Sequence, residues 1–233
     1  MKSVCEYAAK FGYRCDEAAI GRYRSYRDEV LLRNEFVNLT AIRDPVAFEE
    51  KNIVDSLSLL AFEPFRNAKR VLDIGTGAGL PGIPLAIAMP DAHFYLMDSV
   101  GKKIRQVGEI ASMLGLGNVE VFHARAEEMA REAAYRESFD FVVSRAVANL
   151  STLCEYALPF VQVGGCFVAY KTKAAMEEIT DAKRAADILG GASSEIIEPF
   201  GPESGHILVC FKKMKHTPEQ YPRQAGKPQK QPL

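Results

Sequence analysis

The chain has 233 residues, 48% of them hydrophobic and 25% charged, with a formal net charge of −1. This is the balance of a soluble globular protein able to bury a full core, and it excludes fibrous and low-complexity classes. No apolar run approaches the ~20 residues a membrane helix needs, and the charged N-terminus has no apolar stretch of the kind a secretory signal requires. Cys5, Cys15, Cys154, Cys166 and Cys210 are odd in number and lack C-x-x-C spacing. They predict free thiols in a reducing cytoplasm. The four histidines, His93, His123, His206 and His216, are scattered, which predicts no metal site.

In chain order, Ile20, Tyr23, Val30, Leu31 and Val37 recur mainly at helical spacing and predict an amphipathic helix over about Asp16–Phe36. Asp44-Pro45 interrupts it, and a second helix is expected over about Ala47–Leu60. Residues 1–60 therefore form a helical extension. On it Arg22, Tyr23, Arg24, Tyr26 and Arg27 read as a face of tyrosine stems and solvated arginines rather than as an RNA surface. From residue 70 strands and helices alternate. Strands are expected near Val71–Ile74, His93–Met97, Val119–Phe122, Phe139–Val143, Cys166–Tyr170, Glu195–Glu198 and Ile207–Phe211. Helices are expected near Pro81–Ala88, Lys102–Leu114, Glu127–Tyr135, Leu150–Phe160 and Ala175–Leu189. Alternation of this kind builds an α/β fold, a mainly parallel sheet with helices on both faces. The last two strands have only Gly201–Gly205 between them, so one strand should run antiparallel. Residues 61–213 would form this main domain. Residues 214–233, with Pro218, Pro222, Pro228 and Pro232, are too proline-rich for a packed element and read as a basic tail.

The stretch Val71–Gly82, VLDIGTGAGLPG, is an apolar strand, a glycine turn and a helix start, the first half of a nucleotide-binding unit. Gly75, Gly77 and Gly79, with Leu80 after them, allow a ligand to approach the backbone closely. Asp73 inside the strand suits a ligand with a cationic amino-acid end and no phosphate, which describes S-adenosylmethionine; it also suits a carboxylate tying down the turn. Asp98 closes the second strand, where a carboxylate can accept both ribose hydroxyls of either a dinucleotide or a methyl donor. Glu127 and Glu128 at a helix start are by themselves favourable dipole partners. Ser144-Arg145-Ala146 follows the fourth strand. No Asn/Asp-Pro-Pro-aromatic or Pro-Cys motif stands there, and Cys154 falls too late, so covalent catalysis is rejected.

NLTAIRD at Asn38–Asp44, Asp55-Ser56, LDIGTGAGLPGIPLAI, MDSVGKK, RAEE at Arg125–Glu128, SRAVA at Ser144–Ala148 and the ending PRQAGKPQKQPL together resemble one family, from about residue 20 to the end. It is the bacterial 16S ribosomal RNA guanine-N7 methyltransferase family, also called glucose-inhibited division protein B, within the class I S-adenosylmethionine-dependent methyltransferases. The resemblance implies a Rossmann-like class I sheet with an N-terminal helical extension, S-adenosylmethionine as cofactor, and 16S rRNA in the small ribosomal subunit or its precursor as partner, with guanine 527 the target. It implies that Ala126 and Glu127 contact the cofactor and that Arg145 belongs to its site. Arg145 has three candidate roles there, holding the cofactor carboxylate, guanine O6 or an RNA phosphate; a salt bridge to Asp55 is the structural alternative. Lys171 after the fifth strand is a weaker candidate. One departure stands out: Asn52 occupies the place of the family's usual histidine in Lys-His-x-x-Asp-Ser, and it is given no role.

Two other readings share these features, an NAD-dependent oxidoreductase and an RNA-binding protein that has lost catalysis. Asp73 and the final hairpin oppose the first; the intact glycine turn, Asp98 and Arg145 oppose the second. From Lys212 onward the chain carries six Lys or Arg and one acid, leaving a mildly acidic body. The expectation is that this tail lies along a phosphate backbone; the competing one is that it packs back on the domain.

Overall fold

The structure, a computed structural model, describes the whole chain except Ala146, and for Ser193 and Ser194 describes the backbone alone. Seven strands, β1 (Arg70–Ile74), β2 (His93–Asp98), β3 (Val119–His123), β4 (Phe139–Arg145), β5 (Val161–Thr172), β6 (Gly191–Ile197) and β7 (His206–Lys213), stand in the order β3-β2-β1-β4-β5-β7-β6. β1 with β4, β2 with β3 and β4 with β5 are parallel pairs, while β7 runs antiparallel to both β5 and β6. The single reversed strand follows from the short Gly201–Gly205 connection, which leaves no room for a crossover helix. Two compact units divide the chain, Met1–Lys69 with Gly75–His123, and Arg70–Ile74 with Ala124–Leu233.

The first unit holds α1 (Lys2–Ala9), α2 (Glu17–Arg33), α3 (Pro45–Phe48), α4 (Asp55–Leu57), α5 (Gly82–Ala88) and α6 (Gly101–Met113). Asp16 caps α2, its carboxylate accepting from Ala19 N at 2.7 Å. Tyr23, Tyr26 and Val30 bury one face of that helix. Tyr23 donates its hydroxyl to Pro84 O at 3.1 Å, and Arg33 reaches Gln106 at 2.8 Å and pairs with Glu109, fastening α2 against α5 and α6. The tyrosines are thus core, and Arg27 pairs with Asp28 and Glu49. The expected single helix over 47–60 starts earlier, because Asp44 caps it and Pro45 fits its first turn. It then changes pitch: α3 leads into a π-helical turn over Glu49–Val54, α4, and a 3₁₀ turn over Ser58–Ala61. The wider turn buries Glu49, which binds Arg27 and the N-terminal ammonium, and Asn52.

The second unit holds β1, β4 to β7, α7 (Ala126–Met129), α8 (Leu150–Ala157), α9 (Glu178–Ile188) and α10 (Lys227–Lys230). α7 is much shorter than the predicted Glu127–Tyr135 helix. After it the chain continues in turns, Arg136 donates to Thr217 O and Tyr221 O, both at 2.9 Å, and Glu137 takes φ +47° before β4 begins.

Those last contacts correct the expectation of an unpacked tail. Thr217, Pro222 and Pro228 are buried. Glu155, wholly buried on α8, accepts from Arg223 Nε at 2.9 Å and from its backbone N–H at 2.8 Å, with Nη2 on the other oxygen. Lys213 is buried too, donating to Leu158 O at 2.6 Å and paired with Glu137 at 3.0 Å. Burial pushes its ammonium down to about 8 against the pull of Glu137. The prolines pack because each lacks an N–H that needs a partner, while the arginines and carboxylates supply the polar anchoring. Lys212, Lys215, Lys227 and Lys230 remain exposed.

Breaking a buried ion pair by removing one partner costs roughly 3–5 kcal/mol. Glu155→Ala should therefore lower the unfolding free energy by about that amount in a urea titration. An unchanged midpoint would mean that the C-terminal segment is loose in solution.

Candidate cofactor site

Asp98 organises the site residues of the first unit. It ends β2 at 7% exposure, and its two oxygens accept from two backbone N–H groups, Gly77 at 2.9 Å and Val100 at 2.8 Å. Asp98 is therefore no helix cap: α6 begins after Val100 without a side-chain cap. The glycine turn is held from below as well. Gly75 N and Thr76 N donate to Met97 O at 2.8 and 3.0 Å, and Gly79 N and Leu80 N donate to Thr76 O at 2.9 and 2.8 Å. Tyr26, read from the sequence only as one of the tyrosine stems on a helix face, adds its hydroxyl to Ala78 O at 3.0 Å.

Two glycines serve different ends. Gly79 takes φ +93°, and a Cβ there would sit 2.6 Å from Ile83 Cγ1, so it permits the turn to close onto α5. Gly77 takes φ +60°, and a Cβ there would meet nothing nearer than Gly75 O at 3.9 Å. That leaves open space over its backbone beside the Asp98 carboxylate. Leu80 is buried, and α5 begins one residue later than expected, with Pro81 preceding it.

In the second unit Asp73 is fully buried on β1, in register with Val143 of β4, and the next carbonyl, Ile74 O, accepts from Ser144 Oγ at 3.0 Å. Arg145 ends β4 half-buried, in register with Tyr170; Ala146, named with it from the sequence, lies outside the described residues. Ala126 and Glu127 open α7 and are both buried, and Glu127 Oε1 accepts from Gly226 N at 2.8 Å. Lys171 does not stand free: it donates to Ala148 O at 2.8 Å and pairs with Glu178 at 3.1 Å, while Glu178 also accepts from Leu150 N. Its work is to hold the loop after β4 against α9. Cys154 is fully buried, and burial pushes its thiol far above the ordinary range, which agrees with its exclusion as a nucleophile. Among the described residues no cluster of His, Cys, Asp or Glu is arranged to hold a metal, and no helix is long and apolar enough to cross a membrane.

The Asp98 carboxylate beside the open backbone of Gly77 accepts from hydroxyl donors, so these residues fit the ribose of S-adenosylmethionine.

The mainly parallel sheet with its reversed β7, and the glycine turn with a carboxylate at the end of β2, are those of the class I methyltransferase fold. Solved structures agree on the fold. A putative O-methyltransferase from Klebsiella pneumoniae matches with a TM-score of 0.57 at 18% identity, covering 91% of this chain and 96% of that one. The apo form of the S-adenosylmethionine-dependent methyltransferase SibL matches with a TM-score of 0.58 at 16% identity, covering 91% and 73%. The sequence model GidB, described as rRNA small subunit methyltransferase G, matches residues 20–204. Proteins named ribosomal RNA small subunit methyltransferase G are 47% identical over 214 residues in Clostridium novyi, covering 91% of this chain and 88% of that protein, and 41% identical over 233 residues in Clostridium kluyveri, covering 100% and 97%. The chain belongs to the rRNA small subunit methyltransferase G family.

Hydrogen bonds to a charged group are worth roughly 1.5–3 kcal/mol each. Asp98→Ala removes two, so its unfolding free energy in urea should fall by about 3 kcal/mol. An unchanged midpoint would mean the turn holds its shape without the carboxylate.

Proposed function

We propose that the protein transfers a methyl group from S-adenosylmethionine to N7 of a guanine in 16S rRNA. The observation that carries this is the Asp98 carboxylate, buried beside the open backbone of Gly77, in a chain of this family. Each Asp98 oxygen is engaged by one N–H and retains acceptor capacity for a ribose hydroxyl. Gly75, Gly77, Gly79 and Leu80 would form the surface on which the cofactor rests. Asp73 would face its ammonium end, Ala126 and Glu127 its adenine, and Arg145 its carboxylate or the incoming guanine.

When bound, the cofactor supplies an electrophilic methyl on a sulfonium. Guanine N7 offers an in-plane lone pair and carries no proton, so the chain needs no general base. That suits a site region where Lys171 is already engaged and Cys154 is sealed in the core. The protein's contribution is positioning and exclusion of water. The exposed Lys212, Lys215, Lys227 and Lys230 would meet RNA phosphates from a packed segment, in place of the mobile tail expected from the sequence. Arg223, counted with them from the sequence, is taken by Glu155.

The test is transfer of labelled methyl from S-adenosylmethionine by the purified protein to 16S rRNA, offered naked and as the small subunit, followed by nucleoside analysis. Label in 7-methylguanosine is the expected result, with a severalfold higher KM for RNA in the Lys227→Ala/Lys230→Ala double variant. Label in another nucleoside, or none with either substrate, contradicts the proposal.

A further inference from the structure

The C-terminal segment does more than cover the second unit. Glu127 is 6% exposed, and its one hydrogen bond among the described residues joins Oε1 to Gly226 N. Oε2 has no hydrogen-bond partner there. One oxygen of this carboxylate is thus fixed by the C-terminal segment, and the other keeps its full capacity to accept a hydrogen bond.

The Gly226 N–H is itself held from both sides. Three residues before it, Arg223 forks onto Glu155 of α8 and donates to Gln231 O at 2.8 Å. Two residues after it, Pro228 O accepts from Thr152 Oγ1 at 3.2 Å. Gln224 O accepts from Lys227 N at 3.0 Å and closes a turn around Gly226. Glu155 and Thr152 lie three apart on α8 and so share one face of that helix. The strap thus converts the ion pair on α8 into a fixed direction for the Glu127 side chain, 99 residues away in sequence from the group that aims it.

We infer that the C-terminal strap, through Arg223 and Gly226, is a positioning element that presents Glu127 Oε2 to the 6-amino group of the cofactor's adenine and so sets base selectivity. This rests on the reading of the protein as an S-adenosylmethionine enzyme. An amino group donates to the waiting oxygen; a 6-oxo group in its place would set one acceptor against another. Arg223 acts only through Gly226 and Glu127, so its loss should alter selectivity between bases and not merely the strength of binding.

The experiment is calorimetry of the full-length protein with S-adenosylhomocysteine and with its 6-oxo counterpart, S-inosylhomocysteine. The native protein should prefer the amino form by about tenfold or more, the worth of a hydrogen bond to a charged acceptor. Arg223→Ala should reduce that ratio several-fold, Glu127→Gln should do the same, and Arg223→Lys, which keeps the charge but not the fork, should fall between. Circular dichroism reports which variants are folded; if Arg223→Ala is not, Arg223→Lys decides by the same ratio. A folded Arg223 variant with the native ratio overturns the inference. So does a native protein that binds both nucleosides equally. Failure of the native protein to bind S-adenosylhomocysteine at all is a different result, and it overturns the functional proposal instead.

Discussion

The Asp98 carboxylate is the constraint on which the first unit's site residues depend. A glycine turn has little to hold it, since it lacks side chains and each glycine loses more backbone entropy on ordering than other residues do. Here the turn is hung on the end of β2: Met97 O takes two N–H groups, and Asp98 takes a third while its other oxygen binds Val100 N. The same carboxylate that shapes the turn remains buried beside it with acceptor capacity to spare. Tyr26 completes the support from α2, so the N-terminal helices serve the turn directly.

In the second unit the corresponding constraint is the Glu155–Arg223 pair. It is buried on one side and bidentate, the geometry in which an ion pair fixes orientation most strongly. Lys213, Glu137 and Thr217 form a second buried polar cluster at the base of the strap. Burial pushes the Glu137 carboxyl up, but hydrogen bonds from His216, Thr217 N–H and Lys213 outweigh it and hold the group below the ordinary range. Between these anchors a proline-rich segment acquires a fixed path without regular structure of its own.

Much of this architecture was legible in the chain. Val71–Ile74 and its glycines announce a strand and a turn because a buried parallel strand is a short apolar run and a backbone at positive φ selects glycine. Asp98 was readable as a candidate site residue from its place at the end of the second strand. Its bond to Gly77 was not, since it joins atoms 21 residues apart. The strap was misread for the same reason: its composition is that of a solvated tail, and its partners Glu155 and Glu127 lie 68 and 99 residues upstream. The π-helical turn at Glu49–Val54 was equally hidden, because the burial of Glu49 by Arg27 and the N-terminus is not written in local periodicity. The ending PRQAGKPQKQPL did carry a signal in its likeness to the family's ending, and a packed segment is the reading that likeness supports.

The central claim is that the Asp98-anchored turn serves methylation of a guanine in 16S rRNA. Its most direct test is mass spectrometry of 16S rRNA from cells lacking the protein, complemented with the native gene or with an Asp98→Ala gene expressed to the same level. The account predicts that one 7-methylguanosine disappears without the protein, returns with the native chain, and does not return to its full level with the variant. An unchanged 7-methylguanosine content in cells without the protein would contradict it.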